Sequence, residues 1–168
     1  GINVGAFVGH SGVRRYVMGE ACQEREATPD EIQAMKEEIR KGILAGALGF
    51  SIGNFADQGG EIFGVKVPSS VGADEEWYAL GSVLGELGTG VFQVSGGAAG
   101  GYTEPAGIAQ ELSRRTGRPA IYNLLAQELS KPDEWKEHLQ MVEEAFKSGA
   151  RAYASCLSAT AGPIFDLR

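Results

Sequence analysis

The chain reads Gly46-Ala47-Leu48-Gly49-Phe50 where a predicted helix passes into a strand, and the same pattern occurs three more times. The other instances are Gly88-Thr89-Gly90-Val91-Phe92, Gly117-Arg118-Pro119-Ala120-Ile121-Tyr122 and Gly149-Ala150-Arg151-Ala152-Tyr153. In each one a helix ends at a glycine, and an apolar strand with an aromatic residue begins within three residues. Repeats of one helix and one strand are typical of a parallel α/β sheet with right-handed crossovers.

Cap signals and helical periodicity predict four helices. Thr28-Pro29-Asp30-Glu31 combines an N-cap hydroxyl, a proline at the first helical position and a glutamate three residues after the cap. Apolar residues at helical spacing follow, and Gly46 can adopt the left-handed conformation that ends a helix. The same reasoning predicts further helices over residues 74–87, 103–116 and 132–146.

Five short strands are predicted around these helices, at residues 3–8, 48–52, 91–95, 120–125 and 151–157. Their apolar character is expected when both faces of a parallel sheet are covered. Five strands and four helices are about half of a (β/α)8 TIM barrel, which usually needs roughly 250 residues. We therefore predict one partial barrel domain over residues 1–168, with an open doubly wound parallel sheet as the alternative.

Composition limits the classes of partner. A hydrophobic content of 43% with 22% charged residues is that of a folded domain, so disorder is not expected. The net charge of −7 argues against a nucleic-acid or anionic-membrane partner, and no apolar run approaches the roughly 20 residues of a membrane span. We expect a cytoplasmic protein with reduced thiols at Cys22, placed in a polar loop, and at Cys156, placed in a strand.

Polar residues gather at the C-terminal ends of the predicted strands, where barrel enzymes bind their ligands. Ser51 and Ser95 are the candidate substrate-binding residues here, together with Gln93, Tyr122, Asn123, Tyr153 and Ser155. An equally open interpretation is that some of these are barrel-interior groups whose hydrogen bonds are made by neighbours. The glycine-rich segment 53–72 is long enough to predict a lid or a binding loop.

Histidine is scarce, with only His10 and His138 in the chain. His138 lies between Glu137 and Leu139 in a predicted helix, which favours a solvated residue. His10 follows the first strand directly, and with Arg14 and Arg15 it could bind a carboxylate substrate. A loop histidine bonded to backbone is the alternative. A lone histidine cannot complete a first shell, so no metal site is predicted.

A family resemblance adds to these patterns. The chain resembles the N-acyl-D-amino-acid deacylase (D-aminoacylase) branch of the amidohydrolase superfamily in the following stretches: Asn3-Val4-Gly5-Ala6-Phe7-Val8-Gly9-His10-Ser11, Val17-Met18-Gly19, Arg25-Glu26-Ala27-Thr28-Pro29-Asp30-Glu31-Ile32, Gly46-Ala47-Leu48-Gly49-Phe50-Ser51, Val67-Pro68-Ser69, Gly90-Val91-Phe92-Gln93 and Gly117-Arg118-Pro119. The resemblance implies a metal-dependent TIM-barrel hydrolase that cleaves an amide C–N bond with a metal-bound water.

The resemblance also implies that ligands are missing. The family's His-x-His pair on the first barrel strand and its aspartate near the end of the barrel are not found in these residues. Ser95 and Leu124 occupy the positions of two further family histidines. We therefore expect an internal fragment that lacks the N-terminal and C-terminal parts of its parent, with no cofactor in this chain and zinc possible in the full-length parent.

Three functions follow as hypotheses. The first is a fragment of an amidohydrolase acting on the C–N amide bond of an N-acyl amino acid or similar small-molecule substrate, inactive alone. The second is a non-catalytic domain that binds a small acidic ligand through His10, Arg14 and Arg15. The third is a structural fragment held together by self-association. Half a barrel should expose a concave apolar face and two sheet edges, so we expect a homodimer that covers this face.

Overall fold

A parallel five-stranded sheet forms the centre of the computed structural model, which describes residues 1–54, 61–62, 65–96, 103–125 and 132–156. The elements in chain order are β1 (Phe7–Gly9), α1 (His10–Met18), a 3-10 helix (Gly19–Gln23), α2 (Pro29–Leu44), β2 (Gly49–Asn54), β3 (Glu61–Ile62), β4 (Val65–Lys66), α3 (Pro68–Val71), α4 (Asp74–Leu87), β5 (Val91–Gly96), α5 (Thr103–Thr116), β6 (Ala120–Leu125), α6 (Glu134–Lys147) and β7 (Ala152–Cys156). Strands β3 and β4 form a separate antiparallel hairpin.

The order of the strands decides the architecture. The sheet runs β1-β2-β5-β6-β7, with every pair parallel, so the spatial order follows the chain order without reversal. Right-handed crossovers that all advance in one direction place their helices on one face. A doubly wound sheet needs a reversal of strand order. The prediction of about half a (β/α)8 barrel is therefore confirmed, and the doubly wound alternative is wrong.

Alternating strand residues point toward the helices and form the core. Phe50, Phe92, Ala120 and Ala152 lie in register across β2, β5, β6 and β7, and all of them are buried. They pack with the buried apolar residues of the helices, which include Met35, Ile39, Leu80, Leu84 and Leu112. The backbones of β2 and β5 approach each other closely at Gly49, since a Cβ added there would lie 1.8 Å from the Val91 carbonyl oxygen.

Local signals explain the ends of the helices. The capping box at the start of α2 is formed in both directions: the Glu31 amide donates to Thr28 Oγ1 at 3.3 Å, and the Thr28 amide donates to Glu31 Oε2 at 2.8 Å. Helix α4 ends at Gly88, whose φ of 65° is left-handed.

Within the described residues, two α-helices and one 3-10 helix are present besides the four predicted helices. Helix α1 begins at His10, where the sequence suggested a loop, and the short α3 lies in the predicted long loop 53–72. Residues 55–60 and 63–64 of that loop lie outside the described part. Cys22, expected in a polar loop, is fully buried in the 3-10 helix.

The other face of the sheet is open and largely polar. Its row nearest the strand C-termini consists of Gly53, Ser95, Asn123 and Ser155, and the next row of Ser51, Gln93, Ile121 and Tyr153. Ile121 and Tyr153 are exposed, whereas the serine, glutamine and asparagine side chains are half-buried. The expectation of an apolar concave face is therefore wrong in these two rows, because serine, glutamine and asparagine make up most of their side chains.

Candidate active-site edge

Three polar side chains are joined across neighbouring strands at the C-terminal edge of the sheet. Ser155 on β7 donates its hydroxyl hydrogen to Asn123 Oδ1 on β6 at 2.7 Å. The Asn123 amide donates in turn to Ser95 Oγ on β5 at 3.2 Å. Parallel register places these three residues side by side. We call Ser95, Asn123 and Ser155 the strand-end row.

The second row contributes Ser51 on β2 and Gln93 on β5, which are register partners. The two predicted substrate-binding serines, Ser51 and Ser95, therefore both lie on the open face. No described side chain of these two rows carries a charge. Tyr122, another strand-end candidate, lies on the helix side instead, fully buried, and burial raises the pKa of its hydroxyl. Tyr122 and Asn123 are adjacent in β6 and therefore point to opposite faces of the sheet, so that of these two only Asn123 lies on the open face.

His10 and Arg14 of α1 form a second, buried polar cluster with Glu76 of α4. His10 Nε2 is 2.7 Å from Glu76 Oε1, and Arg14 Nη1 donates to Glu76 Oε2. Arg14 Nη2 also donates to the carbonyl oxygens of Cys22 at 3.2 Å and Arg25 at 2.8 Å. The exposed fractions of His10, Arg14 and Glu76 are 1%, 0% and 3%. We call these three residues the buried triad.

The charges of the buried triad are set by burial and pairing. Burial lowers the pKa of His10, and this effect exceeds the opposing influence of Glu76. Burial alone would raise the pKa of Glu76, but its hydrogen bonds to His10 and Arg14 lower it overall. Because Arg14 already balances the carboxylate, a second cation at His10 is not required. His10 is therefore neutral, with Nε2–H donating to Glu76.

The remaining ring nitrogen of His10 links the buried triad to α3. His10 Nδ1 is 2.9 Å from Ser69 Oγ, which therefore donates to it. Ser11 Oγ lies 2.8 Å from Ser69 Oγ and accepts from the Ser69 amide at 3.2 Å. The imidazole also meets the rings of Phe50 and Trp77 edge to face, with centroids 6.0 and 6.4 Å away. The Ser69 contacts fix α3, at the end of the long connection after β2, against α1, and His10 in turn joins α1 to Glu76 and Trp77 of α4.

The candidate ligand-binding residues His10, Arg14 and Arg15 do not meet at one surface. Arg15 lies on the outside of α1, where its Nη1 donates to Glu20 Oε2 at 2.8 Å. His10 and Arg14 are enclosed with Glu76. Substrate binding by these three residues stays a prediction, and their contacts in this structure are internal.

Two features of the site were missed in the sequence. Glu76 lies four residues before Leu80 and eight before Leu84, so helical spacing places it on the buried stripe of α4. A carboxylate on such a stripe indicates a buried ion pair, and this signal was available. His138, expected to be solvated, is only 4% exposed, so that expectation is wrong. Its position on α6 turns it inward with Ala145, seven residues later on the same helical face.

The described side chains at this edge do not fit zinc. Among the residues that the structure describes, no group of three or more histidine, cysteine, aspartate or glutamate side chains could hold a metal ion. Zinc is bound by thiolate, imidazole and carboxylate, whereas the strand-end row offers hydroxyls and an amide. Cys22 and Cys156 are both free thiols, the first buried and the second exposed. Ser95 is hydrogen-bonded within the strand-end row, and Leu124 lies in β6.

The fold and this edge define a segment of a (β/α)8 barrel, a class whose ligands bind at the carboxyl ends of the strands. Comparison with solved structures shows which members of this class the chain is similar to. A D-aminoacylase studied for the role of its binuclear metal centre matches with a TM-score of 0.68 at 25% identity, over 90% of this chain and 29% of that one. The crystal structure that defined D-aminoacylase as a novel subset of amidohydrolases gives 0.67 at 25%, again over 90% and 29%.

An N-acyl-D-glutamate deacylase from Bordetella bronchiseptica, complexed with zinc and a phosphonate inhibitor, has the same fold, with a TM-score of 0.69 at 22% identity over 90% of this chain and 30% of that one. The predicted resemblance to D-aminoacylases is thus confirmed, and these neighbours are metal-dependent amidohydrolases. The chain spans about three tenths of the length of the structures it matches. No protein-family model and no curated protein sequence matches it. No helix within the described ranges is long and apolar enough to cross a membrane.

Proposed function

We propose that this chain is a fragment of an amidohydrolase-like hydrolase that acts on the C–N amide bond of an N-acyl amino acid or a similar small molecule. The observation that carries the proposal is the polar open face at the strand C-termini, in a fold similar to the D-aminoacylases. In this fold class, side chains at that edge contact the substrate. The strand-end row, Ser51 and Gln93 are the residues of this chain that lie there.

The contribution of these residues is hydrogen bonding to the substrate. Their side chains are neutral, and they do not bind zinc well, so any catalytic zinc of the parent would need other ligands. We therefore propose that the 168 residues alone are inactive, and that the family's metal ligands belong to parts of the parent outside the described residues.

The experiment compares this chain with the protein made from its full reading frame. Each is assayed for metal content by mass spectrometry and for hydrolysis of a panel of N-acyl-D- and N-acyl-L-amino acids. Stoichiometric zinc and turnover in the longer protein alone would support the proposal. Turnover by the 168 residues alone would contradict the assignment of inactivity, and absence of turnover in both would reject the hydrolase.

The donor chemistry of the strand ends favours one alternative, a non-catalytic amidohydrolase-like domain that binds a small acidic ligand. Hydroxyl and amide groups can bind a carboxylate without any metal. If His10 and Arg14 took part, the ligand would have to compete with Glu76, which already binds both of them. Ligand binding without zinc and without turnover in the full-length protein would select this alternative.

For the isolated 168 residues we also propose a homodimer in which a second copy covers the open face, the face that the rest of the barrel would normally cover in the parent. Ile121 and Tyr153, which is 46% exposed, supply the apolar contacts for such an interface. Light scattering at micromolar concentration tests the homodimer, and a monomer that unfolds cooperatively would reject it.

A cytoplasmic location remains part of the proposal, because the two free thiols fit a reducing compartment. Cell fractionation of the full-length protein tests the location.

A further inference from the structure

We propose that the strand-end row, Ser95, Asn123 and Ser155, binds a carbonyl or carboxylate oxygen of the substrate through hydrogen bonds and takes no part in metal coordination. This inference rests on the proposed function, because it assigns the binding chemistry of the same edge. It goes further in naming the atoms that bind and the group that they recognise.

A count of polar hydrogens supports the inference. Each serine hydroxyl has one hydrogen and the Asn123 amide has two, which gives four in the row. The bond from Ser155 to Asn123 and the bond from Asn123 to Ser95 use two of them. Within the described ranges these side chains make no other hydrogen bond. Among the residues that the structure describes, the Ser95 hydroxyl and the second Asn123 N–H therefore have no acceptor, and both side chains are half-buried.

The positions of the two remaining donors suit an acceptor group with two oxygens. Ser95 Oγ and Asn123 Nδ2 are 3.2 Å apart, and one N–H of the amide already points at Ser95 Oγ. The second N–H diverges from the first by about 120°, so it and the Ser95 hydroxyl cannot meet at one oxygen. A carboxylate can instead accept one hydrogen bond on each of its oxygens, whereas a carbonyl oxygen can accept from either donor alone. Ser155 is a positioning residue, because its hydroxyl donates to Asn123 Oδ1 and so directs the amide N–H groups toward Ser95 and the open face.

The described side chains of the strand-end row and of the next row, Ser51, Gln93, Ile121 and Tyr153, carry no charge. A site with lysine or arginine at this edge would favour anions strongly over neutral amides. Neutral dipoles discriminate less, so the row should accept both the acyl carbonyl and the carboxylate of an N-acyl amino acid. Zinc, in contrast, gains little from hydroxyl and amide ligands.

The test is a titration followed by amide chemical shifts of the 15N-labelled chain and of the protein from the full reading frame. The probes are acetamide for the carbonyl, sodium acetate for the carboxylate, N-acetylglycine for both, and zinc chloride alone. We expect the three organic probes to shift the amide signals of the strand-end row. Ser95→Ala should weaken their binding about 2- to 10-fold, as expected for one hydrogen bond. Asn123→Asp should weaken acetate more than acetamide, because it places a negative charge beside the acceptor.

Ser82→Ala is the matched control, since Ser82 lies on α4 and its hydroxyl donates to Ala79 O in its own helix. The inference is overturned if Ser95→Ala binds the probes as Ser82→Ala does, if no organic probe moves the row in either protein, or if zinc alone moves it. Hydrolysis by the full-length protein separates the two proposals. Binding at the row without turnover rejects the hydrolase only, and turnover with a KM unchanged by Ser95→Ala rejects the role of the row only.

Discussion

Replacing Glu76 with glutamine should destabilise the fold far more than a charge change at the surface. The substitution keeps the size of the side chain and removes its negative charge. Arg14 would then be a fully buried cation without a carboxylate, and its acceptors among the described residues would be the neutral Cys22 and Arg25 carbonyls and, in one orientation, the new amide oxygen at position 76. Removal of one partner from a buried ion pair costs about 3–5 kcal/mol. Domains of this kind have only about 5–15 kcal/mol in total.

The measurement is urea denaturation followed by far-ultraviolet circular dichroism at pH 7.5, with thermal unfolding as a second probe. A loss of about 3–5 kcal/mol corresponds to a Tm lower by about 6–20 °C for a chain of this size. Glu86→Gln is the matched control, because Glu86 lies on the same helix and binds Lys36 and Arg40 at the surface. Its side chain is 44% exposed, so its loss should cost less than about 1 kcal/mol.

A double variant keeps the prediction testable if Glu76→Gln alone does not fold. Arg14→Met in the Glu76→Gln background removes the buried cation that has lost its partner. The double variant should therefore be more stable than the sum of the two single losses predicts, by about 0.5–3 kcal/mol. Equal losses for Glu76→Gln and Glu86→Gln, or strictly additive losses for the pair, would refute the reasoning about the buried triad.

Three further predictions follow from other features. Folding lowers the pKa of His10 and that of Glu76. As the pH falls, the unfolded chain therefore binds protons at a higher pH than the folded chain does. The free energy of unfolding should therefore fall as the pH drops below about 6.5, the ordinary value of His10, and fall further below about 4.5, that of Glu76; a flat profile from pH 7.5 to 5 would contradict this. Gly49→Ala should severely destabilise the sheet, because the new Cβ would overlap the backbone of β5. Gly12→Ala, with open space around its Cβ, should be neutral or stabilising in denaturant titrations, by up to about 1 kcal/mol. Thr28→Ala should cost about 1 kcal/mol, and an unchanged urea midpoint would show that the capping box is energetically silent.

Local features of the fold were predictable from the sequence because they depend on neighbouring residues. The capping box at Thr28 and Glu31 and the glycine at the end of α4 are read within a few positions, and both are present in the structure. The helix-glycine-strand repeat predicted a partial barrel correctly. Helix α1 was missed because Gly9-His10-Ser11-Gly12 contains loop-forming residues, and packing against α2, α3 and β2 compensates for their low helical propensity.

The tertiary structure alone decided which side chains meet. His10 and Glu76 are 66 residues apart, and Ser95 and Ser155 are joined through Asn123 by the register of three strands. A sequence gives the polarity of each residue and the period of its element, but register and crossover geometry bring distant positions together. For this reason the sequence determined that Ser95 lies at a strand end and that His10 follows one, whereas only the fold decided that Ser95 faces the open sheet and His10 the buried Glu76.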